Sequence, residues 1–596
     1  MDFPNLSAAK YVVIDVETYD PNIKQSPGWA TGEGRVVGIA VAPDGNQGAY
    51  FTDVAQCVSW LSEAAASRSD LLFTGQNIQY DLGWLKRVGF RPGQARFVCT
   101  QLSAALLDED RDHYSLNALG KDWLGEEKHE AGLIAYAADH GLDPKADIHK
   151  MPADVVAPYA IQDVELTGKL WEYERRRLED DNCMGIAELE FDLIPLFVEM
   201  RMRGLRIDLN ALEQAGEELK AREDAILREI QTRWHMFVNP WAAMSVAKLC
   251  DSLAITYPRS STGLPSFKSA WLNSPAQHEA LQLVGRARKL SKARNTFIKA
   301  YGQHHHNGRL HCQWHQLRSD EGGTISGRLS CSDPNLQQVP HRDPDLAPII
   351  RRLFLPESGA QWLSCDYSQQ EPRLAVHYAH LLKLQGAAAA VKQFREDPRT
   401  DFHQMVADMT GLDRKTAKGI NLGIIYGMGK RKFAEQAGIS EAAAGELLQT
   451  YRERLPFMRE LATICTNKAE AKGRINTILG RPCRFDLWQP VGPNVKQPLR
   501  RSEAEARWPG QPLKRGYGHT ALNRLVQGGA ADQTKKAMLL LYREGIIPML
   551  QIHDEMCVSG DDQTARRVAE IMTEAIELTV PTVVDVAMGN NWAEAE

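Results

Sequence analysis

The chain has 596 residues, 43% of them hydrophobic, and a formal net charge of −6, a balance that predicts several globular domains, about four on length alone. No apolar run approaches the roughly 18 residues a bilayer span needs, and MDFPNLSAAK lacks the basic and apolar regions of a secretion signal, so a cytoplasmic protein with no membrane partner is expected. Ten cysteines without a C-x-x-C pair exclude a disulfide framework and a cysteine zinc site, and the acidic balance excludes a wholly basic nucleic-acid coat while allowing local basic surfaces.

Residues 11 to about 175 alternate strand-like and helix-like text (VVIDV, RVVGIAVA, VAQCVSWLSEAAA, LLFTGQ), which predicts a mixed sheet flanked by helices. In KYVVIDVETYD the strand period puts Asp15 and Glu17 on one face. Two like charges among apolar residues need a neutraliser, and a divalent metal is the strongest; a solvated strand end is the alternative reading. NIQYD (77–81) and YAIQD (159–163) each set a polar residue and an aspartate four apart, one helical face apiece. From 186 to 235 the text is helical, with a glycine stop at Gly204. YPRSSTGLPS reads as a loop, and His304–His306 is read as a loop as well. Between them Arg286, Arg288, Lys289, Lys292, Arg294 and Lys299 form a basic helix, either a solvated face or a phosphate-tracking one.

The C-terminal half holds a second acidic set. QWLSCDYSQQEPR predicts a strand through Asp366 that enters a helix, with Pro372 tolerable in its first turn. PMLQIHDEMCVSG places His553, Asp554 and Glu555 at a hairpin tip. In DRKTAKGINLGIIYG, Arg414, Lys418, Leu422 and Tyr426 recur every four residues; at roughly 100° per residue they drift only about 120° and share one broad face. Two cations, an apolar residue and an aromatic suit phosphates, sugar and base, against the alternative of an amphipathic helix with a basic end.

In order and context, Asp15, Glu17, Asp81, Tyr159 and Asp163 resemble the DEDD 3′-5′ exonucleases, and the whole chain resembles a family A DNA polymerase, the DNA polymerase I family, of phage type. DYSQQEPR is similar to motif A, the Arg414 to Tyr426 series to motif B and IHDE to motif C. TISGRLSCSDPNLQQVP is similar to the template-primer segment, TDFH to the triphosphate-binding histidine segment, NRLVQGGAAD to the minor-groove segment and VVDVAMGNNWAEAE to the C-terminal end. The resemblance implies a multidomain α/β protein: an RNase H-like exonuclease domain over 1–180, then a right-hand polymerase over 181–596. Its thumb would cover about 204–318, its palm about 319–385 and 520–596, and its fingers about 386–519. That places the basic helix in the thumb and favours its phosphate reading.

Carried over residue by residue, Asp366 and Asp554 would hold two magnesium ions, with manganese as the substitute, and Glu555 and His553 would support the primer terminus. Lys418, Arg414 and His403 would neutralise phosphate charge, Lys418 also donating a proton to pyrophosphate. Leu422 would face the sugar, Tyr426 would stack near the templating base, Glu371 would exclude a ribose 2′-hydroxyl, and Gln370 would lie beside it. Arg328 and Gln527 would read minor-groove acceptors, with Thr324, Asn335 and Asn523 on the DNA. In the exonuclease half, Asp15 would bridge two metals, Glu17 and Asp163 complete one, Asp81 serve the other, and Tyr159 orient the attacking water. The implied partners are primer-template DNA, dNTPs and single-stranded 3′ ends, with room for a helicase-primase or single-strand binding protein. No thioredoxin-binding insertion and no 5′-nuclease are expected. Leu422 stands where the family has Phe or Tyr, Gln370 and Pro372 replace apolar residues, and His519 replaces a frequent arginine. A nuclease with an inactive DNA-binding polymerase module is opposed by Asp366, Asp554 and Lys418; a single-subunit RNA polymerase is opposed by the exonuclease domain and Glu371.

Overall fold

β1 (Tyr11–Tyr19) is the central strand of a five-stranded mixed sheet. It pairs antiparallel with β2 (Arg35–Pro43), which carries β3 (Ala49–Phe51), and parallel with β4 (Leu72–Gly75), which pairs with β5 (Arg96–Cys99). Val12, Val13, Ile14 and Val16 are all buried, the near-continuous apolar strand of a sheet covered on both faces. Helices α1 (Gln79–Arg87) and α2 (Ala153–Asp180) pack against β1. The computed structural model describes residues 3–23, 26, 28–341, 343–411, 413–425, 428–492 and 495–595.

Past Gly204, whose φ of 64° ends a helix as its sequence position predicts, the chain forms two long paired helices, α3 (Leu209–Trp234) and α4 (Glu279–Ala293). Asp208 caps α3 by accepting from the Ala211 amide at 2.9 Å. Leu212, Ala215, Leu219, Ile226 and Ile230 form its buried stripe at helical spacing, and each buried Leu or Ile contributes about 1.5–3 kcal/mol. The loop expected at His304–His306 is overturned: His304 ends a helix and His305–His306 pairs with Arg309–Leu310. The cause is the Asn307-Gly308 turn, where both residues have positive φ and close a tight hairpin.

The second sheet is antiparallel. Its strand β6 (Gln361–Tyr367) leads into α5 (Gln370–Leu381), with Pro372 in the first turn, and α6 (Phe402–Thr410) and α7 (Arg414–Ile425) stand beyond. A buried helix, α8 (Ala521–Arg543), precedes the hairpin β7 (Leu550–Ile552) and β8 (Glu555–Gly560), and β9 (Val584–Gly589) completes the order β7-β8-β6-β9. Gly529 lets α8 approach α5 closely, since a Cβ there would lie 2.7 Å from the Tyr378 hydroxyl. Trp592 stacks on Trp362 of β6 at 5.4 Å, fastening the C-terminal segment to this sheet. Among the described residues, no helix is long and apolar enough to cross a membrane.

Candidate active sites

The first acidic cluster stands on β1 and on the two helices packed against it, α1 and α2. Asp15 and Glu17 project from β1, and the register slips just after Glu17, a bulge of the kind that re-aims side chains. Asp81 lies in the first turn of α1 and accepts from the amide of Val16, between the two strand acids, at 2.9 Å. Asn77 lies outside α1 in a left-handed conformation (φ 55°), so it does not share the helical face with Asp81 that its spacing predicts. Tyr159 and Asp163, four apart on α2, do share one.

Glu17, Asp81 and Asp163 are all buried. Burial, then the charge of Asp163, pushes the Asp15 carboxyl up to about 7. Burial and Asp15 push Glu17 and Asp81 well above the ordinary carboxylate range. Asp163 Oδ1 is buried without a hydrogen-bond partner. Hard oxygen donors that repel one another and leave an oxygen unsatisfied fit a divalent cation. Among the described residues, no three acidic, histidine or cysteine side chains already close on one point as a metal cage. The cation in contact with the cluster is Lys128, whose Nζ lies 2.5 Å from Asp163 Oδ2 and donates to the Tyr159 hydroxyl at 3.0 Å. Sequence reading missed Lys128, and missed Tyr50, whose ring packs over Gly38 opposite Glu17.

The second cluster stands on the antiparallel sheet. Asp366 of β6 is in register with Glu555 of β8 and with Asp585 of β9, and Asp554 occupies the β7–β8 turn, its carbonyl accepting from the Tyr367 amide at 3.2 Å. Desolvation in this recess, then Asp554, Glu555 and Asp585, pushes Asp366 up to about 8, while Lys418 of α7 draws it down. Asp554 is also raised by desolvation, against the pull of His553, Arg328 and Lys418. Asp585, paired with Arg399 at 3.2 Å, lies in the segment VVDVAMGNNWAEAE, whose resemblance gave it no role at the site.

Several residues are engaged otherwise than expected. Gln370 is buried and donates to Ala530 O, Gln533 Oε1 and Thr534 Oγ1 of α8, so its amide faces that helix and not a nucleotide. His403 is buried against Asn421, and burial, then Lys418, pushes its imidazole down to about 4. Glu555 does not point free at the hairpin tip: its Oε1 accepts from Ser364 Oγ and from Trp592 Nε1 at 3.2 Å. Asn335 Oδ1 accepts from the Gln337 amide at 3.0 Å, and Thr324 Oγ1 donates to Arg328 O at 2.8 Å. Both still line a cavity of about 280 Å³ with Arg328 and His553. Gln527 is half-buried on α8, and Asn523 lines a separate cavity of about 630 Å³. Glu371 forms an ion pair with Arg328, and Arg414 one with Asp401 at 2.5 Å. In the basic helix, Arg288 donates to Pro240 O and Phe267 O, Lys289 pairs with Asp343 and Arg294 with Glu223; Arg286, Lys292 and Lys299 are exposed. Tyr426 and the Leu422 side chain lie outside the described residues.

Two sheets, each presenting clustered carboxylates with a lysine at hand, define a two-site enzyme. Residues 209–594 match the family described as DNA polymerase family A, and residues 3–179 match a 3′-5′ exonuclease family. The chain is 34% identical to the DNA-directed DNA polymerase of Pseudomonas phage M6, over 99% of this chain and 95% of that one. It is 26% identical to DNA polymerase DpoZ of Vibrio phage phiVC8, over 94% and 93%, and 27% identical to DNA polymerase I of Pseudomonas aeruginosa, over 99% of this chain and 64% of that one. Among solved structures it is similar to the POL domain of Pol1 from M. smegmatis in complex with DNA primer-template and dNTP, with a TM-score of 0.77 at 20% identity, over 99% and 97% of the two chains. The chain belongs to DNA polymerase family A: it is a DNA-directed DNA polymerase with an N-terminal 3′-5′ exonuclease domain.

Proposed function

We propose that Asp366 and Asp554 carry primer extension and that Asp15, Glu17, Asp81 and Asp163 carry removal of mismatched 3′ ends. The observation that supports this most is the convergence of Asp366 and Asp554 through the β6–β8 register, within the electrostatic reach of Lys418. In this reading the exonuclease domain spans 1–180 and the polymerase 181–596. The thumb covers about 204–318, the palm about 319–385 and 520–596, and the fingers about 386–519.

The substrates are primer-template DNA, dNTPs and single-stranded 3′ ends, in the cytoplasm of a phage host. Magnesium, two ions per site with manganese as substitute, supplies charge stabilisation to the attacking and leaving oxygens. The chain's own residues do the rest. Lys418 and Arg414 bind the triphosphate, and Lys418 gives a proton to the departing pyrophosphate. Glu371 closes the space a ribose 2′-hydroxyl would occupy. Arg328 and Gln527 test the minor-groove acceptors that every correct pair shares, which checks geometry without sequence preference. Arg286, Lys292 and Lys299 face duplex phosphates. Tyr159 orients the water that attacks the 3′-terminal phosphodiester.

Asp366→Ala is expected to lower primer extension by about a hundredfold or more, beyond the loss of an outer-shell partner, and to leave degradation of single-stranded 3′ ends intact. Asp15→Ala with Glu17→Ala is expected to do the reverse. Primer extension by the first variant at the parent rate would overturn the assignment.

A further inference from the structure

Lys128 is the side chain whose place the sequence motifs do not explain. It lies in the extended segment between the π-helical turn Gly120–Leu124 and the helix Ala131–Asp139, and its side chain is only 13% exposed. That segment is pinned at three consecutive residues. The Gln162 side chain donates to Glu127 O at 3.0 Å and accepts from the His129 amide at 2.7 Å, and Asn117 Oδ1 accepts from the Lys128 amide at 2.9 Å. Gln162 immediately precedes Asp163 on α2, so the loop and the acid are held to one another by a single residue. The result is a built contact: Nζ is 2.5 Å from Asp163 Oδ2, 3.0 Å from the Tyr159 hydroxyl and 4.6 Å from the centre of the Tyr159 ring. Glu130 lies farther off, at 3.8 Å.

Four crowded carboxyl groups face one lysine, and Lys128 is the cation whose charge draws down Asp15, Glu17 and Asp163 together. We infer that Lys128 is the positioning residue of the editing site: a resident cation that holds Tyr159 and Asp163 in working geometry and competes with the divalent ion for Asp163. The inference rests on the assignment of these acids to 3′-end removal. It makes Lys128 act through Tyr159 and Asp163, not on the substrate. Two effects of opposite sign follow. Without the ammonium, Asp163 is freer to bind a cation and metal affinity rises; without the bond to its hydroxyl, Tyr159 is less well oriented and turnover falls.

The test uses the full chain carrying Asp366→Asn and Asp554→Asn, so that the palm contributes little metal binding, and follows Mn²⁺ by the loss of its free electron paramagnetic resonance signal. Lys128→Met is expected to bind Mn²⁺ about tenfold more tightly, as removal of one nearby positive charge requires, and to degrade a single-stranded oligonucleotide about tenfold or more slowly at saturating Mn²⁺, the order of loss that misplacement brings. Lys128→Arg is expected to keep both values within about threefold of the parent, since its guanidinium keeps the charge and a donor. Gln162→Ala, which frees the loop and keeps the ammonium, is expected to lower turnover as well. A Lys128→Met chain that melts with its parent yet binds Mn²⁺ equally or more weakly overturns the inference, as does undiminished turnover at saturating metal. If Lys128→Met melts early, Lys128→Arg decides: turnover as low as that of Met removes the role of charge. The parent and its Asp15→Ala, Glu17→Ala derivative are assayed alongside. Equal 3′-end degradation by those two overturns the site assignment itself, which separates that failure from a failure confined to Lys128.

Discussion

At the scale of one side chain, the proposed exclusion of a ribose 2′-hydroxyl rests on Glu371. It sits in the first turn of α5, where the helix N-terminus favours a carboxylate, and it is buried and paired with Arg328. A buried, tethered carboxylate cannot swing aside to admit an extra hydroxyl. Glu371→Ala is therefore expected to raise ribonucleotide incorporation relative to deoxynucleotide by about tenfold or more, within the range that one lost exclusion contact supplies, as read by competitive primer extension. An unchanged ratio would remove Glu371 as the gate. Asp15 and Glu17 were legible as acids at odds with an apolar strand, because a charge in a buried strand needs a reason, and Asp366 through the resemblance of its segment to motif A. Lys128 was not, because its meaning lies in a contact with Asp163, 35 positions away and across a loop.

At the scale of elements, α8 is fixed by buried charge as well as by apolar packing. Glu190, from the helix Met184–Asp192, meets Lys535 of α8 at 2.7 Å and Arg481 at 2.6 Å, and Arg481 reaches Asp532 of α8 at 2.7 Å. All four are buried, and Gln316 joins them by donating to Glu190 O at 2.7 Å. Burial opposes the charge on Glu190, but Lys535 and Arg481 outweigh it and hold the carboxyl below its ordinary value. Glu190→Gln leaves two buried cations facing Asp532 alone and is expected to destabilise the chain by about 3–5 kcal/mol in urea unfolding. A carboxyl depressed by folding contributes stability above its unfolded value of 4.5, and that contribution is lost as pH falls through the folded value. The stability difference between parent and Glu190→Gln is thus expected to shrink in acid below that point. The elements themselves were readable from hydrophobic period and turn residues, except where a short cue was misweighed, as at Asn307-Gly308.

Over the whole molecule the exonuclease domain is not a separate bead. One continuous apolar core runs from Leu6 through the first sheet, the paired helices and β6–β8 to Ala595, while the helices around α6 and α7 form a second core. Charge reinforces the junction. Glu109 is buried and pairs with Arg524 at 2.7 Å and Arg484 at 3.1 Å, Asp108 pairs with Arg500, and Gln79, two residues from Asp81, donates to Gln316 at 2.8 Å. Glu109→Ala takes from buried Arg524 the carboxylate it pairs with and leaves buried Arg484 with Asp181. It is expected to lower stability by about 3–5 kcal/mol and to split the calorimetric transition in two as the exonuclease domain loosens. A single transition at the parent temperature would show that the apolar core alone holds the junction.

The division into an exonuclease half and a polymerase half came from the resemblance of the motifs to a family; by itself the sequence determined the strand-borne pair Asp15 and Glu17, the helix with Arg414 and Lys418 on one face, and the hairpin around Asp554. These are local patterns, set by the periods of strand and helix and by the small repertoire of turns. Only the tertiary structure decided that Gln370 faces α8, that His403 is buried against Asn421, that Glu555 is held by Ser364 and Trp592, and that Lys128 and Asp585 join the two acid clusters. Each of these depends on which distant groups share a buried, low-dielectric space, and that follows from how the elements pack, which no local period encodes.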